Sequence, residues 1–215
     1  MKTIATLSGT DAYGQSERDA IKKFAPDFGI QVVAQEEFTV TDVDFTAQLM
    51  NIKKKNPDLL YSAATGGPAI LVYKAIRKLG IKGQLALSPS ATNAAFFKAL
   101  GGKKPLEGVV VSSMLGSFGD KIPGPSGELW KKLSAALGRD GSFMHVIGYD
   151  MGILTEWAVK NSDGTRKGIQ AALAGAKDVR VIMGPVDFTT GTHNGLDYRA
   201  IQVGVYRDGE LVPAN

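Results

Sequence analysis

Five short apolar runs alternate with four segments of helical spacing in the first half of the chain, and this alternation restricts the fold more than any other feature. The apolar runs are Thr3–Leu7, Ile30–Ala34, Leu59–Ala64, Leu85–Leu87 and Val109–Val111. The segments between them are Gln15–Phe28, Phe45–Lys55, Pro68–Leu79 and Asn93–Leu100. Short apolar runs separated by helices are typical of parallel strands that are buried on both faces. The pattern therefore predicts a doubly wound α/β sheet.

Residues typical of helix ends support these boundaries. Gly29 and Gly80 follow the first and third helical segments, where glycine readily adopts the left-handed conformation that ends a helix. Asp44 precedes the second segment and is predicted to cap its first turn. Pro68 suits the first position of the third helix, because its missing N–H has no partner there in any case.

The pattern changes after residue 116. Residues 117–127 are rich in glycine and proline, which predicts a crossing segment. Helices are predicted next, with no good strand between them, at Glu128–Leu137, Tyr149–Lys160 and Thr165–Ala174. Short strands follow near Val186–Phe188 and Ile201–Tyr206, and Asp208-Gly209 predicts a hairpin turn toward Leu211-Val212. We therefore divide the chain into an α/β lobe (1–116), a crossing segment with helices (117–180) and a returning β segment that completes the first lobe (181–215).

The helices of the middle part carry apolar residues that need a covering layer. They include Leu129, Trp130, Leu133, Ile153, Leu154, Trp157, Ile169 and Leu173. A large exposed apolar patch is unusual for a protein in water. We expect these helices either to fold back on the first lobe or to be covered by a second chain, and the second alternative is a homodimer through residues 127–174.

Composition excludes several classes of partner. The net charge is +4, but the lysines and arginines are scattered in pairs without interleaved aromatic residues, so no nucleic-acid partner is predicted. The chain has no cysteine, which excludes disulfides and thiolate chemistry. No apolar run approaches the roughly 18 residues that a membrane span needs. Met1-Lys2 leads directly into the first apolar run, so no signal peptide is expected in this chain.

Motifs of the common enzyme classes are missing from the sequence. There is no Gly-x-Gly-x-x-Gly fingerprint, no Walker loop and no Gly-x-Ser-x-Gly elbow. His145 and His193 have no metal-ligand spacing to another histidine and are expected to be surface or loop residues. We predict a binding protein that is not an enzyme and has no cofactor or metal. Two alternatives stay open: a small flavodoxin-like enzyme acting on a phosphate-bearing substrate, and a ligand-sensing regulatory domain.

Tyr13 lies where the first predicted strand passes into the first predicted helix, in Ser8-Gly9-Thr10-Asp11-Ala12-Tyr13-Gly14. Open α/β sheets bind their ligands at the carboxyl ends of the strands. An aromatic ring at this edge can cover a ligand and offer its hydroxyl group. The simpler interpretation is that Tyr13 only packs over the start of the helix.

An ordered set of short fragments resembles one protein family over nearly the whole chain. The fragments are Asp11-Ala12-Tyr13-Gly14, Asp44-Phe45-Thr46-Ala47, Asn56-Pro57-Asp58, Lys74–Gly80, Glu107-Gly108-Val109-Val110, Gly148-Tyr149-Asp150 and Gly184-Pro185-Val186-Asp187-Phe188. In these fragments the chain resembles the C-terminal part of the periplasmic solute-binding proteins of ABC importers, in the branch that binds leucine, isoleucine and valine.

The resemblance implies a type I fold with flavodoxin-like strand order and two α/β lobes joined by three crossings. This chain would begin where the second lobe begins, so the helices near residues 127–174 would belong to an incomplete first lobe. The resemblance also implies a periplasmic location, a small solute (an amino acid or a carboxylate) as ligand and a membrane permease as the partner of an intact relative. The chain would then be a truncated product, a fragment or one part of an assembly.

The resemblance also suggests which residues face the ligand. Tyr13 matches the ligand-covering tyrosine, and Thr65, Gly66 and Gly67 follow the third strand at another contact position. Free N–H groups at a helix start there would suit an anion, although an ordinary Gly-Gly-Pro turn is the alternative. We expect Tyr13, Thr65 and Ser90 to share one edge of the sheet.

Two further positions bear on the kind of ligand. Ser90 stands where amino-acid binders carry a glutamate that pairs with the ligand ammonium, and serine cannot supply that charge. Tyr149 and Asp150 would face the ligand from the other lobe, unless Asp150 is an ordinary residue at a helix start. The expected ligand is therefore a small carboxylate with an apolar or aromatic body rather than a free α-amino acid.

Overall fold

The computed structural model describes residues 1–191 and 194–214, which form two compact units. Unit 1 contains Met1–Ser112 and the chain from Val203 onward, and unit 2 contains Ser113–Gln202. His193, which was expected to be a surface or loop histidine, lies outside the described residues.

Strands and helices alternate from residue 3 to residue 114, as predicted. Within the described residues, the strands are β1 (Thr3–Gly9), β2 (Gln31–Phe38), β3 (Leu59–Ala63), β4 (Gln84–Leu87), β5 (Val110–Met114), β6 (Val179–Val181), β7 (Gly184–Val186), β8 (Ile201–Arg207) and β9 (Glu210–Pro213). The α-helices are α1 (Ala12–Phe24), α2 (Thr46–Lys55), α3 (Gly66–Leu79), α4 (Ala94–Leu100), α5 (Gly124–Leu137), α6 (Phe143–Lys160) and α7 (Arg166–Ala174).

Over the described residues, the main sheet has seven strands in the order β2-β1-β3-β4-β5-β8-β9. The pairs β1–β2, β1–β3, β3–β4 and β4–β5 are parallel, whereas β8 and β9 form an antiparallel hairpin. This arrangement confirms the predicted doubly wound α/β fold with its flavodoxin-like order. Because β1, β3 and β4 are parallel neighbours, the segments that follow them lie at one edge of the sheet.

Side chains of α2 and α3 are part of the buried core of unit 1. Leu49, Ile52 and Val72 are fully buried there. Phe45, just before α2, is also buried and meets Phe38 edge to face, with 5.2 Å between ring centroids. Asp44 was predicted to cap α2, but Phe45 is the residue at the N-cap position. Asp44 instead accepts hydrogen bonds from the backbone N–H and the hydroxyl of Thr46.

Unit 2 combines α5, α6 and α7 with the antiparallel hairpin β6–β7. Trp130 and Leu133 of α5 and Val146 of α6 are buried. The hairpin forms a second cluster around Ala176 and Val181, against which Trp157 of α6 packs. The hairpin thus supplies part of the cover that the apolar helices need, although Met144, Met151 and Val159 of α6 remain exposed.

Several boundaries in unit 2 differ from those predicted. The segment 117–127 is not an open linker, since a 3₁₀ helix covers Leu115–Lys121 and α5 begins at Gly124. Strand β6 was not predicted, and β7 ends at Val186, where a strand had been expected to begin. Residues 181–202 belong to unit 2, whereas the sequence analysis assigned 181–215 to the segment that completes the first lobe. The physical reason is that the β6–β7 hairpin packs on α6.

Asp58 joins the beginnings of β1 and β3. Its Oδ2 accepts hydrogen bonds from the backbone N–H groups of Lys2 (2.6 Å) and Thr3 (2.9 Å). In return, the Asp58 N–H donates to the Thr3 hydroxyl at 2.9 Å. The two backbone hydrogen bonds hold the pKa of Asp58 below its ordinary value, because they favour the charged carboxylate.

We expect the Asp58→Asn variant to be less stable than the parent at neutral pH. A lowered folded-state pKa stabilises the protein above the unfolded-state pKa, and this contribution is lost as pH falls through the folded-state pKa. The difference in free energy of unfolding between parent and variant should therefore shrink in acid. Urea denaturation at a series of pH values measures it, with the exposed Asp19→Asn as control. A difference that does not change with pH would contradict this role of the carboxylate.

Candidate functional site

The turn between β1 and α1 is held by contacts of three residues: Asp11, Gly14 and Arg18. The Asp11 side chain caps α1 by accepting a hydrogen bond from the Gly14 N–H at 2.7 Å. Gly14 is buried so close to β1 that an added Cβ would lie 2.1 Å from the carbonyl oxygen of Gly9. The Arg18 guanidinium donates to the Ser8 hydroxyl and to the Gly9 carbonyl, both at 2.7 Å. The backbone around Tyr13 is therefore fixed on both sides.

Tyr13 is half-buried at this junction. Its side chain packs against the buried cluster of Ile4, Tyr61, Ala63 and Ala86. This contact agrees with the simpler interpretation, in which Tyr13 has a packing role. Burial raises the pKa of Tyr13 to about 12, and the negative charge of Glu17 is the next cause. The phenol is therefore neutral and protonated at physiological pH.

The segment after β3 is open to solvent. Thr65, Gly66 and Gly67 are exposed, and no atom would lie within 4 Å of a Cβ added at either glycine. Helix α3 begins at Gly66, so Pro68 is not the first helical residue as predicted. The Thr65 side chain makes no capping hydrogen bond with α3. Open N–H groups at this helix start are able to bind an anion.

The segment after β4 is joined to the end of β3. The buried Ser88 hydroxyl donates to the Ala64 carbonyl at 2.6 Å. Ser90 is half-buried in the 3₁₀ helix Pro89–Thr92, and its carbonyl accepts a hydrogen bond from the Asn93 side chain at 2.8 Å. The topology thus brings Tyr13, Thr65 and Ser90 to one edge, as expected. That they bind a ligand stays a prediction.

Tyr149 and Asp150 lie within α6, not at a helix start as predicted, because α6 begins at Phe143. Tyr149 is half-buried. Asp150 is only 4% exposed, and its two carboxylate oxygens accept hydrogen bonds from the backbone N–H groups of Ile182 (2.8 Å) and Met183 (3.0 Å). Burial raises the pKa of Asp150, and these two hydrogen bonds oppose the shift. In unit 2 this carboxylate therefore binds the β6–β7 turn.

A small apolar cavity of about 140 Å³ adjoins Asp150 in unit 2. Leu154 and Phe188 are among the residues that line it. The predicted ligand-facing role of Tyr149 and Asp150 has no support from this geometry and stays a prediction.

The contacts around Tyr13 that the sequence did not predict involve four residues: Glu17, Tyr61, Arg18 and Glu37. Glu17 accepts a hydrogen bond from the Tyr61 hydroxyl at 2.9 Å, and Arg18 also pairs with Glu37 at 3.2 Å. The only sequence signal for Glu17 is its spacing, because a residue four positions after Tyr13 lies on the same face of a helix.

His145, expected at the surface or in a loop, lies in the first turn of α6, where it forms a capping box with Ser142.

Among the residues that the structure describes, no group of histidine, aspartate and glutamate side chains could hold a metal ion. None of the described helices combines the length and the apolar character that crossing a membrane requires.

Comparisons with known proteins agree with the fold. A structure from Rhodopseudomonas palustris strain CGA009 superposes with a TM-score of 0.89 at 25% identity, covering 100% of this chain and 64% of its own. An extracellular ligand-binding receptor from R. palustris HaA2 gives a TM-score of 0.85 at 27% identity, and the match covers 99% of this chain and 63% of the receptor. A solute-binding protein of an R. palustris ABC transporter, in complex with benzoate, gives 0.79 at 22% identity, with 99% and 57% covered.

The chain thus spans less than two thirds of the length of these neighbours. Comparison with curated proteins gave no match. The model of the periplasmic binding proteins matches residues 1–209, nearly the whole sequence. The chain belongs to the periplasmic binding protein family.

Proposed function

We propose that this chain is the substrate-binding component of an ABC-type importer, or a part of it, and captures a small organic solute between two lobes without catalysing a reaction. The observation that carries this proposal is the edge of the main sheet where Tyr13, Thr65 and Ser90 follow β1, β3 and β4. Membership of the family supports a ligand-binding role. A periplasmic location and a membrane permease as partner belong to the same proposal.

Unit 1 is proposed to be one ligand-binding lobe, and the helices of unit 2 to be part of the other. The coverage of the neighbours supports this, since each of them has further chain that could complete a second lobe. We retain residues 1–116 as the approximate extent of the first part and 117–180 as the crossing and helical part. A homodimer through residues 127–174 stays a prediction.

The solute is proposed to be a small carboxylate with an apolar or aromatic body. The half-buried Tyr13 ring offers an apolar contact beside a hydroxyl group. The exposed Gly66 and Gly67 offer backbone N–H groups at the start of α3, which favour an anion. Ser90 offers a hydrogen bond but no negative charge for an ammonium group. The benzoate complex of one neighbour guides the choice of probe.

Isothermal titration calorimetry of the full chain with benzoate, 4-methylpentanoate and leucine tests this proposal. We expect the two carboxylates to bind more tightly than leucine, since leucine has the same branched body as 4-methylpentanoate and adds only an ammonium group. The Tyr13→Ala variant should weaken carboxylate binding by about tenfold, which corresponds to about 1.4 kcal/mol. The matched control is Tyr198→Ala in unit 2, where the side chain is 83% exposed.

Two results would contradict the proposal. Leucine binding tightly while neither carboxylate binds would show that the kind of solute is wrong. Equal losses of affinity in Tyr13→Ala and Tyr198→Ala would show that the solute does not bind at the edge where Tyr13 lies.

A further inference from the structure

Basic side chains predominate on one helical part of unit 1. Residues 46–106 contain ten lysines and arginines but only one acidic residue, Asp58. Every one of these ten cations is exposed. Six of them lie where α2 and α3 end or shortly before β4 begins, and we call this group the basic edge: Lys53, Lys54, Lys55, Arg77, Lys78 and Lys82.

The topology of the sheet brings these cations together. Helix α2 ends just before β3, α3 ends just before β4, and β3 and β4 are parallel neighbours. Both helices therefore end at the edge where these strands begin. Lys53 Nζ donates a hydrogen bond to the Leu79 carbonyl at 2.7 Å, so the end of α2 contacts the end of α3. This edge is opposite the one where Tyr13, Thr65 and Ser90 follow their strands.

Few negative charges balance the basic edge. In the part of the chain that the structure describes, none of its six cations forms an ion pair with an acidic side chain. Asp58 lies at the same edge, but its carboxylate accepts hydrogen bonds from two backbone N–H groups near the start of β1. Hydrogen bonds from Thr46 are the main cause that lowers the pKa of Asp44, and the charge of Lys78 adds only a small decrease. The basic edge thus presents an excess of positive charge to solvent.

A pocket of about 190 Å³ lies within the basic edge. Lys53 and Lys82 line it together with Asn56 and Gly80. Lys53 uses one of its three N–H donors on the Leu79 carbonyl, which leaves two for another acceptor. The lining thus offers two ammonium groups and a side-chain amide to an anion such as a phosphate group.

The residue types of the basic edge indicate which anionic partner fits it. Protein interfaces are enriched in aromatic residues and arginine and depleted in lysine, whereas five of these six cations are lysines. Bidentate recognition of one carboxylate or phosphate favours the fork of arginine, whereas lysine acts as a point charge. Clustered positive charge is what binds a bilayer with anionic lipids. Such a bilayer therefore suits this edge better than an acidic protein does.

We propose that the basic edge binds the surface of a bilayer that contains anionic phospholipids, with a headgroup phosphate in the pocket between Lys53 and Lys82. Binding at this edge leaves the opposite edge of unit 1, where Tyr13 lies, free to meet a solute. Electrostatic attraction of this kind falls off within a Debye length, so added salt weakens it. The inference goes beyond the proposed function and does not depend on which solute is bound.

Cosedimentation of the full chain with sucrose-loaded vesicles tests this inference. One set of vesicles is pure phosphatidylcholine, and the other contains about one third phosphatidylglycerol, which is anionic. At low ionic strength we expect the chain to sediment with the anionic vesicles and to stay in solution with the neutral ones. At about 0.5 M NaCl, where charges are strongly screened, binding to the anionic vesicles should be lost.

A triple variant removes charge from the basic edge: Lys54→Gln, Lys55→Gln and Lys82→Gln. It should weaken binding to the anionic vesicles by about a hundredfold, because each cation near such a surface contributes a factor of about five. Lys53 is left unchanged because it also binds the Leu79 carbonyl.

The matched control is the triple variant Lys22→Gln, Lys23→Gln and Lys132→Gln. It removes the same charge from exposed positions of α1 and α5 and should bind the anionic vesicles nearly as the parent does. Circular dichroism checks that both triple variants are folded.

Three results would overturn the inference. The parent chain would fail to sediment with anionic vesicles at low ionic strength, or the two triple variants would lose affinity equally, which would show an effect of net charge alone. The third is polyglutamate binding more tightly than the vesicles at the same concentration of negative charge, which would make an acidic protein the better partner. Failure of the proposed function is distinguishable, because it appears in the calorimetry with benzoate and leaves vesicle binding unchanged.

Discussion

The Gly14→Ala variant is expected to lose at least about 3 kcal/mol of the free energy of unfolding of unit 1. The added Cβ would lie 2.1 Å from the carbonyl oxygen of Gly9 and 2.8 Å from its backbone nitrogen. Both atoms belong to the end of β1, so no flexible side chain can move aside. Either α1 or the end of the strand must shift, and that shift would break the Asp11 cap at Gly14 and displace Tyr13.

The matched control is Gly67→Ala in the first turn of α3. A Cβ at Gly67 would meet nothing within 4 Å, so this variant should be as stable as the parent or slightly more stable. Both tryptophans of the chain, Trp130 and Trp157, lie in unit 2, so urea unfolding of unit 1 is followed by circular dichroism. Equal stability of the two variants would show that α1 does not approach β1 as closely as described.

The strands of unit 1 could be predicted because parallel strands covered on both faces leave continuous apolar runs in the sequence. The predicted Thr3–Leu7 nevertheless missed the last two residues of β1, Ser8 and Gly9. Ser8 is fully buried, and its hydroxyl accepts a hydrogen bond from Arg18, ten residues away. A polar residue that is buried through such a contact looks like a loop residue in the sequence.

Unit 2 was harder to predict because its elements depend on one another. Helix α6 begins six residues before the predicted start. Its capping box is completed at the third helical position by His145, where glutamate or glutamine is usual. Strand β6 has only three residues, which is too short for a periodic signal. The turn that pairs it with β7 is bound by Asp150, about thirty residues earlier in the chain.

In the candidate site, too, some features could be predicted from the sequence and others depend on contacts between distant residues. Tyr13, Thr65 and Ser90 could be found because each follows a strand, and the parallel topology brings such positions to one edge. Tyr61 could not be linked to Glu17, because 44 residues separate them and the contact exists only once α1 lies on β3. Positions at the edge of the sheet follow from topology, whereas hydrogen bonds between side chains that are far apart in the sequence depend on three-dimensional packing.

The Asp150→Ala variant is expected to destabilise unit 2 by about 2 to 5 kcal/mol. It leaves the buried N–H group of Ile182 and the N–H group of Met183 without their acceptor, and each such loss costs about 1–3 kcal/mol. Asp150→Asn should also be destabilised, because its side chain keeps one oxygen while its amide nitrogen cannot accept the second N–H. Urea denaturation followed by the fluorescence of Trp130 and Trp157 reports on this unit. The control is Asp140→Asn, at an exposed residue just before α6.

The advantage of the parent over Asp150→Asn should also depend on pH. Burial raises the pKa of Asp150, so the folded state binds this proton more tightly than the unfolded state. Stability from a raised pKa is complete below the unfolded-state value of 3.8 and is lost as pH rises through the folded-state value. Because asparagine does not titrate, the difference in free energy of unfolding should fall as pH rises from about 4. If Asp150→Ala cost less than about 1 kcal/mol at every pH, the carboxylate would not hold the β6–β7 turn, and a ligand-facing role for Asp150 would again be the better interpretation.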